Sequence, residues 1–133
     1  MPGVSVWQEF NNNPTGRRGV GDCAVRAVSL ALDTTWEDAY AKLAVAGFGM
    51  GDLPNSNTVA NAVLRQNGFY NHIVPNDCPN CYTFREFAID HPNGTYFLGT
   101  GTHVATVIDG KLFDAWNSED EIVAYFWSKN PEE

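Results

Sequence analysis

The sequence predicts an α+β fold, with helices first and an antiparallel β-sheet after them, and three observations carry that reading. As far as Pro92, apolar residues recur at helical spacing between capping and turn signals. From Gly94 the period shortens to that of strands: "GTYFLGTG", "THVATVI", "KLFDAW" and "EIVAYFW" are rich in aromatic and β-branched residues and separated by turn signals. The Asp109-Gly110 pair between two of these runs is a strong hairpin signal. Helices followed by strands, rather than alternating with them, give an α+β arrangement.

The elements follow in order. "VSVWQEF" reads as an edge segment leading into the Gly/Asn/Pro-rich loop "NNNPTGRRGVG". Asp22 is placed to cap a helix in which Ala24, Val25, Ala27, Val28, Leu30, Ala31 and Leu32 are apolar almost all round, as a central buried helix is. A second helix begins after Thr35, with Asp38 in a variant of the capping box and Trp36, Tyr40, Leu43 and Ala44 at helical spacing, and Gly47 is its expected stop. The third spans "SNTVANAVLRQNG", with Val59, Val63 and Leu64 inward and Gly68 just past its end. The fourth is "TFREFAIDH", where Thr83 and Glu86 make a capping box and Pro92 and Gly94 end it.

Bulk properties narrow the function classes. A chain of 133 residues with 44% apolar and 18% charged residues is expected to form a single domain over 1–133. Its net charge of -8, from 8 basic against 16 acidic residues, repels phosphate backbones, and Arg17-Arg18 is its one adjacent basic pair, so no nucleic acid partner is expected. Neither a basic and apolar leader nor an apolar run of ~20 residues is evident, so neither a signal peptide nor a membrane partner is expected. Three cysteines, an odd number, argue against a disulfide framework and for a cytoplasmic protein with reduced thiols. Oligomeric state is not legible.

Chemistry concentrates at "GDCAVRA". Cys23 at the first turn of a buried helix is either a small core hydrophobe or a thiol whose pKa the helix N-terminus lowers towards thiolate. Asp22 beside it would oppose the thiolate unless its side chain is engaged in capping. The hairpin supplies partners. With Asp109-Gly110 as a two-residue turn, Ile108 pairs with Lys111, Ala105 faces Asp114, and His103 faces Trp116. His103, Ala105, Asp114 and Trp116 then share one sheet face, with Asp114 the diagonal neighbour of His103 at about 7–8 Å between Cβ atoms. Asn117 points to the other face. A carboxylate there fixes the imidazole tautomer and stabilises an imidazolium, and the indole shields the contact from water. The alternative is a solvent-facing aspartate and a strand-start histidine without chemistry.

Other features compete. "CPNC", residues 78 to 81, has the spacing of half a zinc site, with His72 or His91 as further ligands, or of a redox disulfide, but no second such pair exists, and a turn carrying two thiols is preferred. No metal or cofactor is expected. Arg26, one turn after Cys23, reads as a structural partner of Asp22, Asp52 or another acid, or as a source of positive potential for a thiolate. The loop "GFGMGDLPNSN" lacks the Gly-Lys-Ser/Thr of a phosphate cradle and is expected to border a groove for an extended peptide. Trp7, Tyr125 and Trp127 read as core residues.

A cysteine opening a central helix, then His103 opening a strand, then "DAW" at 114 to 116 resembles the papain-like cysteine peptidases. In that family an Asn or Asp orients the histidine and a Trp two positions later covers the contact. "GDCAVRA" and "HVATVIDGKLFDAW" look most like the small single-domain papain-like enzymes of bacteria and phages, and are similar to the bacteriocin-processing peptidase domains. The resemblance spans Cys23 to about Trp127, while its motifs cover about twenty residues. It implies a papain-like arrangement, a Cys-bearing helix packed on the sheet, and acyl transfer on a peptide or protein substrate. Cys23 is then the nucleophile, His103 the proton shuttle and Asp114 its orienting group, with Asp22 and Trp116 supporting them and the Cys23 N–H a donor to the oxyanion. The family's second oxyanion donor is a Gln six residues before the cysteine, where this chain has Arg17. Gln8, Asn12, Asn13 or Arg17 could replace it, and the "NNNP" loop favours Asn13. A non-peptidase amidase or acyltransferase, or a binding module without turnover, remains the alternative on the same scaffold.

Overall fold

The computed structural model describes residues 4–133. Four helices and six strands follow the chain as β1 (Trp7–Glu9), α1 (Cys23–Ala31), α2 (Trp36–Met50), α3 (Asn57–Gln66), β2 (Tyr70–Ile73), α4 (Phe84–Asp90), β3 (Thr95–Gly99), β4 (Val104–Ile108), β5 (Lys111–Asp114) and β6 (Tyr125–Ser128). The strands form one sheet in the order β1-β5-β4-β3-β6-β2. The sheet is mixed rather than wholly antiparallel, because β1 pairs parallel to β5 while every other pair is antiparallel. The edge segment foreseen near the N-terminus thus lies at the edge, in the orientation its long connection through the helices permits.

Strand alternation divides the apolar residues between two faces. Phe97, Val104 and Trp127 join α1, α2 and α3 in one core cluster. Leu98, Ala105, Val107, Leu112 and Phe126 join Phe84, Phe87 and Ala88 of α4 in a second. The central strands are therefore apolar on both sides. A buried hydroxyl fixes α1 to the first face: Thr106 Oγ1 donates to the Ala27 carbonyl at 2.7 Å. This bond sets the height at which the start of α1 stands over the start of β4.

The hairpin has the expected register, with Ile108 opposite Lys111 and Thr106 opposite Phe113. Asp109 and Gly110 both take positive φ, 50° and 80°, the geometry a two-residue turn between twisted strands needs. The Thr83–Glu86 capping box is present on α4, and Ser56 caps α3 by accepting from Val59 N.

Three expectations are corrected. Asp22 precedes α1 but makes no side-chain cap to it. Gly47 does not end α2, which continues to Met50 and stops at left-handed Gly51 (φ 69°). Gly47 is instead buried where the chain returns, and a Cβ there would sit 2.7 Å from the Asp52 carbonyl oxygen. Of the three thiols expected to be reduced, Cys78 and Cys81 are joined as a disulfide across their turn, their Cα atoms 4.6 Å apart and in range for one. Strand β2 was not foreseen: it is four residues long, bonded on one side only, and mostly exposed, so it lacks the alternation that marks a half-buried strand. No helix among the described residues is long and apolar enough to cross a membrane.

Gly47→Ala is expected to lose about 1–3 kcal/mol of stability to overpacking, although alanine is the better helix former. Denaturant unfolding checks this, and an unchanged midpoint would contradict the close approach.

Candidate active site

One end of the sheet gathers the chemistry. The start of α1 carries Cys23, the residue before β4 is His103, and the last residue of β5 is Asp114. Cys23 is partly buried and is the free cysteine among the described residues. His103 faces the Cys23 thiol on one side, close enough for each to shift the other's pKa, and its Nε2 lies 2.6 Å from Asp114 Oδ2 on the other. Since the carboxylate takes Nε2, the nitrogen left for the sulfur is Nδ1. His103 and Asp114 are both buried. The diagonal placement foreseen from the register is closed by the two side chains.

Asp114 is held from four directions. Oδ2 also accepts from Ser118 Oγ at 2.6 Å, Oδ1 accepts from the Ala115 N–H at 2.8 Å, and Arg26 Nη2 stands 3.6 Å from Oδ1. A carboxylate with every lone pair engaged has one orientation, and the imidazole inherits it. Ser118 was not singled out in the sequence. Its signal is its place four residues beyond Asp114 in "DAWNS", where a reversing chain brings it back to the carboxylate. Asn117 is exposed and accepts from Glu119 N.

Trp116 lies against His103 with ring centroids 4.8 Å apart and planes tilted by 42°. It is 47% exposed, so one face shields the imidazole while the other meets solvent.

Asp22 is engaged, though not in capping. It pairs with Arg26 one turn along α1, and Oδ2 accepts from Trp36 Nε1 at 2.9 Å and Asn13 Nδ2 at 3.2 Å. Its negative charge is therefore met by a cation and two donors before it reaches the thiol. Arg26, buried between Asp22 and Asp114, fills both roles considered for it: it pairs with the acids, and its charge favours a thiolate at Cys23.

The electrostatics reinforce one another. Burial alone would raise the Cys23 pKa, but the hydrogen bond with His103, the Val104 N–H and the positive charges of His103 and Arg26 hold it below the ordinary thiol value. Burial alone would likewise lower His103, but the hydrogen bonds and charges of Asp114 and Cys23 raise it to about 9. A lowered thiol beside a raised imidazole favours thiolate and imidazolium together.

A cleft of about 530 Å³ opens over these groups, lined by Arg18, Gly21, Cys23, Arg26, Asn55, Thr102, His103, Ala115 and Trp116. Its walls match the loop that was expected to border a groove only at Asn55. Asn13 does not line it: the Asn13 amide donates to Asp22 and its oxygen accepts from Thr15. The Asn12 amide donates to Ser29, and Gln8 sits on edge strand β1. None of these three reaches the cleft. Besides His103 and the ion-paired Arg26, the side chains on its wall that can donate to an oxyanion are Arg18, Asn55, Thr102 and Trp116, of which Arg18 also pairs with Glu9 and donates to the Ala115 carbonyl.

His72 and His91 lie elsewhere, on Phe126 and Phe87 respectively. Among the described residues no group of three or more His, Cys, Asp or Glu side chains could hold a metal ion. Compared with protein-family models, with curated proteins and with solved structures, the chain matches none.

The folded His103 pKa lies above its ordinary value of 6.5. Its contribution to stability is therefore complete below about pH 6.5 and is lost as the pH rises through about 9. An NMR titration of the imidazole is expected to show a midpoint near 9 in the wild type and a lower one in Asp114→Asn. A wild-type midpoint near 6.5 would contradict the buried carboxylate contact.

Proposed function

We propose that this protein is a papain-like cysteine hydrolase, a thiol peptidase or isopeptidase that works through a thioester intermediate. The observation that carries the reading is Cys23 and His103 on the wall of one cleft, with His103 bonded to Asp114 and that carboxylate fixed by Ser118, the Ala115 N–H and Arg26. Nucleophile, base and orienting group within mutual reach are the geometry of acyl transfer.

In this mechanism the Cys23 thiolate adds to the carbonyl of a peptide or isopeptide bond lying in the cleft. The tetrahedral oxyanion takes a hydrogen bond from the Cys23 N–H and a second from a donor on the cleft wall. The His103 imidazolium gives its proton to the leaving amine, and the carbon–nitrogen bond breaks to leave a thioester. Neutral His103 then takes a proton from water as the hydroxide adds to the thioester carbonyl. Collapse expels the thiolate, releases the acid and regenerates the ion pair. Asp114 holds the imidazole in place throughout and stays ionised. The mechanism calls on no cofactor, and the substrate partner is a peptide or protein.

A second reading, a binding module on this scaffold, is favoured by one observation. The residue expected to supply the second oxyanion donor, Asn13, is committed to Asp22. An amidase or acyltransferase would share the first half of the mechanism and differ in the acceptor.

Incubation with a diverse peptide library, followed by mass spectrometry, separates these readings. The expected result is cleavage together with a hydroxylamine-labile acyl adduct on Cys23, both absent from Cys23→Ala. His103→Ala should lower turnover by about 10²–10⁴-fold. An adduct that passes to an added amine rather than to water would identify a transferase. Peptide retained without any adduct would identify the binding module and sink the hydrolase.

A further inference from the structure

A second, smaller pocket adjoins the cleft. Its volume is about 280 Å³, and it shares Gly21 and Asn55 with the cleft wall. The rest of its lining comes from the loop before α1, the first two turns of α1 and α2, and the loop that leads to α3. Val20, Val25, Trp36, Tyr40, Leu53 and Pro54 supply the apolar walls. No described residue of the sheet lines it. Leu53 and Pro54 thus bring to this pocket the loop that touches the cleft itself only at Asn55.

The chemistry of the walls selects the occupant. Trp36 and Tyr40 stack on each other with ring centroids 5.2 Å apart and planes at 28°. The Trp36 N–H is committed to Asp22, so the indole has only carbon to offer a ligand. Asp22 is the one charged residue on the walls, and its carboxylate is already met by Arg26, Trp36 and Asn13. An apolar group entering here strands no unpaired charge. Val20, Tyr40 and Leu53 are exposed. Single exposed apolar residues are ordinary, but three on the walls of one pocket mark a binding surface. Pockets for whole small ligands begin at roughly 300 Å³, so this one has room for a side chain of something larger.

Position decides which half of the substrate supplies that side chain. In the proposed mechanism His103 gives its proton to the leaving amine, so the leaving half lies towards His103 and Trp116. Neither of these lines the pocket, which meets the cleft at Gly21, two residues before Cys23, and at Asn55. We propose that the pocket is a specificity subsite that takes a large apolar side chain, of the Leu, Met or Phe kind, from the acyl half of the substrate. That half is the one that stays on Cys23 as the thioester. The preferred substrates are then peptides or proteins with such a residue on the carbonyl side of the bond that is cut. Leu53, exposed and on the subsite wall, is the residue that sets the preference. The inference rests on the proposed reading of the cleft as the place of acyl transfer.

The test uses tripeptidyl chloromethyl ketones, varied one residue at a time among Ala, Leu, Phe and Lys. Such a ketone presents an acyl half alone. The Cys23 sulfur displaces chloride to form a thioether, and mass spectrometry of the modified Cys23 peptide gives the rate. At one position Leu or Phe should react about 10–100-fold faster than Ala. Leu53→Glu puts a carboxylate on an exposed wall of the subsite and should move the preference to Lys. Val45→Glu, on an exposed part of α2 outside the subsite, should leave the preference as it is. Iodoacetamide, which has no side chain to place, should alkylate all three proteins alike. Equal rates for the four residues at every position would overturn the inference and leave the pocket to a partner protein or a second copy of the chain. An apolar preference that survives Leu53→Glu would overturn it too. If peptides are cleaved in either case, the hydrolase reading stands and only the subsite falls. The expected preference without cleavage of any peptide keeps the subsite and sinks the hydrolase. Failure of every ketone to modify Cys23, with no peptide cleaved, overturns both.

Discussion

The buried guanidinium of Arg26 is the constraint on which the rest of this site depends. It stands between two buried carboxylates and pairs with both, Asp22 just before α1 and Asp114 at the end of β5. Removing one member of a buried ion pair typically costs about 3–5 kcal/mol, because the partner is left uncompensated. Here one cation serves two anions, and donors from Trp36, Asn13, Ser118 and the Ala115 N–H supply what it does not. The result differs between the two acids. Asp22, adjacent to the thiol, is neutralised. Asp114 keeps an oxygen for His103 and so can hold an imidazolium. With the cysteine ionised, the cluster has two cations, Arg26 and His103, against three anions, Asp22, Asp114 and Cys23.

The fold delivers these groups by simple means. Alternation along β3, β4 and β6 covers the sheet with helices α1, α2 and α3 on one face and α4 on the other. The Thr106–Ala27 bond and small residues at Ala24 and Ala27 bring α1 close to β4. Its first residue then stands over the strand start that His103 precedes. The tight Asp109-Gly110 turn returns the chain so that Asp114 ends beside His103. Each principal side chain, Cys23, His103 and Asp114, stands at or next to the end of a helix or strand.

Much of this was legible in the residues, for identifiable reasons. The hairpin register follows from a two-residue turn and period-two alternation, and that arithmetic alone selects Asp114 over Asn117. Two helices were legible where a cap marks them, at Thr35 and Thr83. What was missed depends on partners distant in sequence. Asp22 has the residue type and place of a cap, and only the fold shows Trp36 and Asn13 converging on it. Gly47 looks like a helix stop because the return of Asp52 onto it leaves no local mark. Asn13 sits on a loop whose course nothing nearby fixes, and β2 is too short and too exposed to carry a pattern. The Cys78–Cys81 bond was weighed as one of three readings of its spacing, and spacing alone does not separate a dithiol from a disulfide.

The central claim is that Cys23 and His103 form an ion pair at neutral pH. The measurement that tests it most directly is the ultraviolet absorbance of the thiolate across a pH titration, taken as the difference between the wild type and Cys23→Ser. The account predicts thiolate absorbance already present at neutral pH and lost only on acidification, when the imidazolium no longer has a thiolate partner. No difference until the pH approaches that of a free thiol, about 8.5, would contradict it and leave Cys23 a core cysteine beside a histidine.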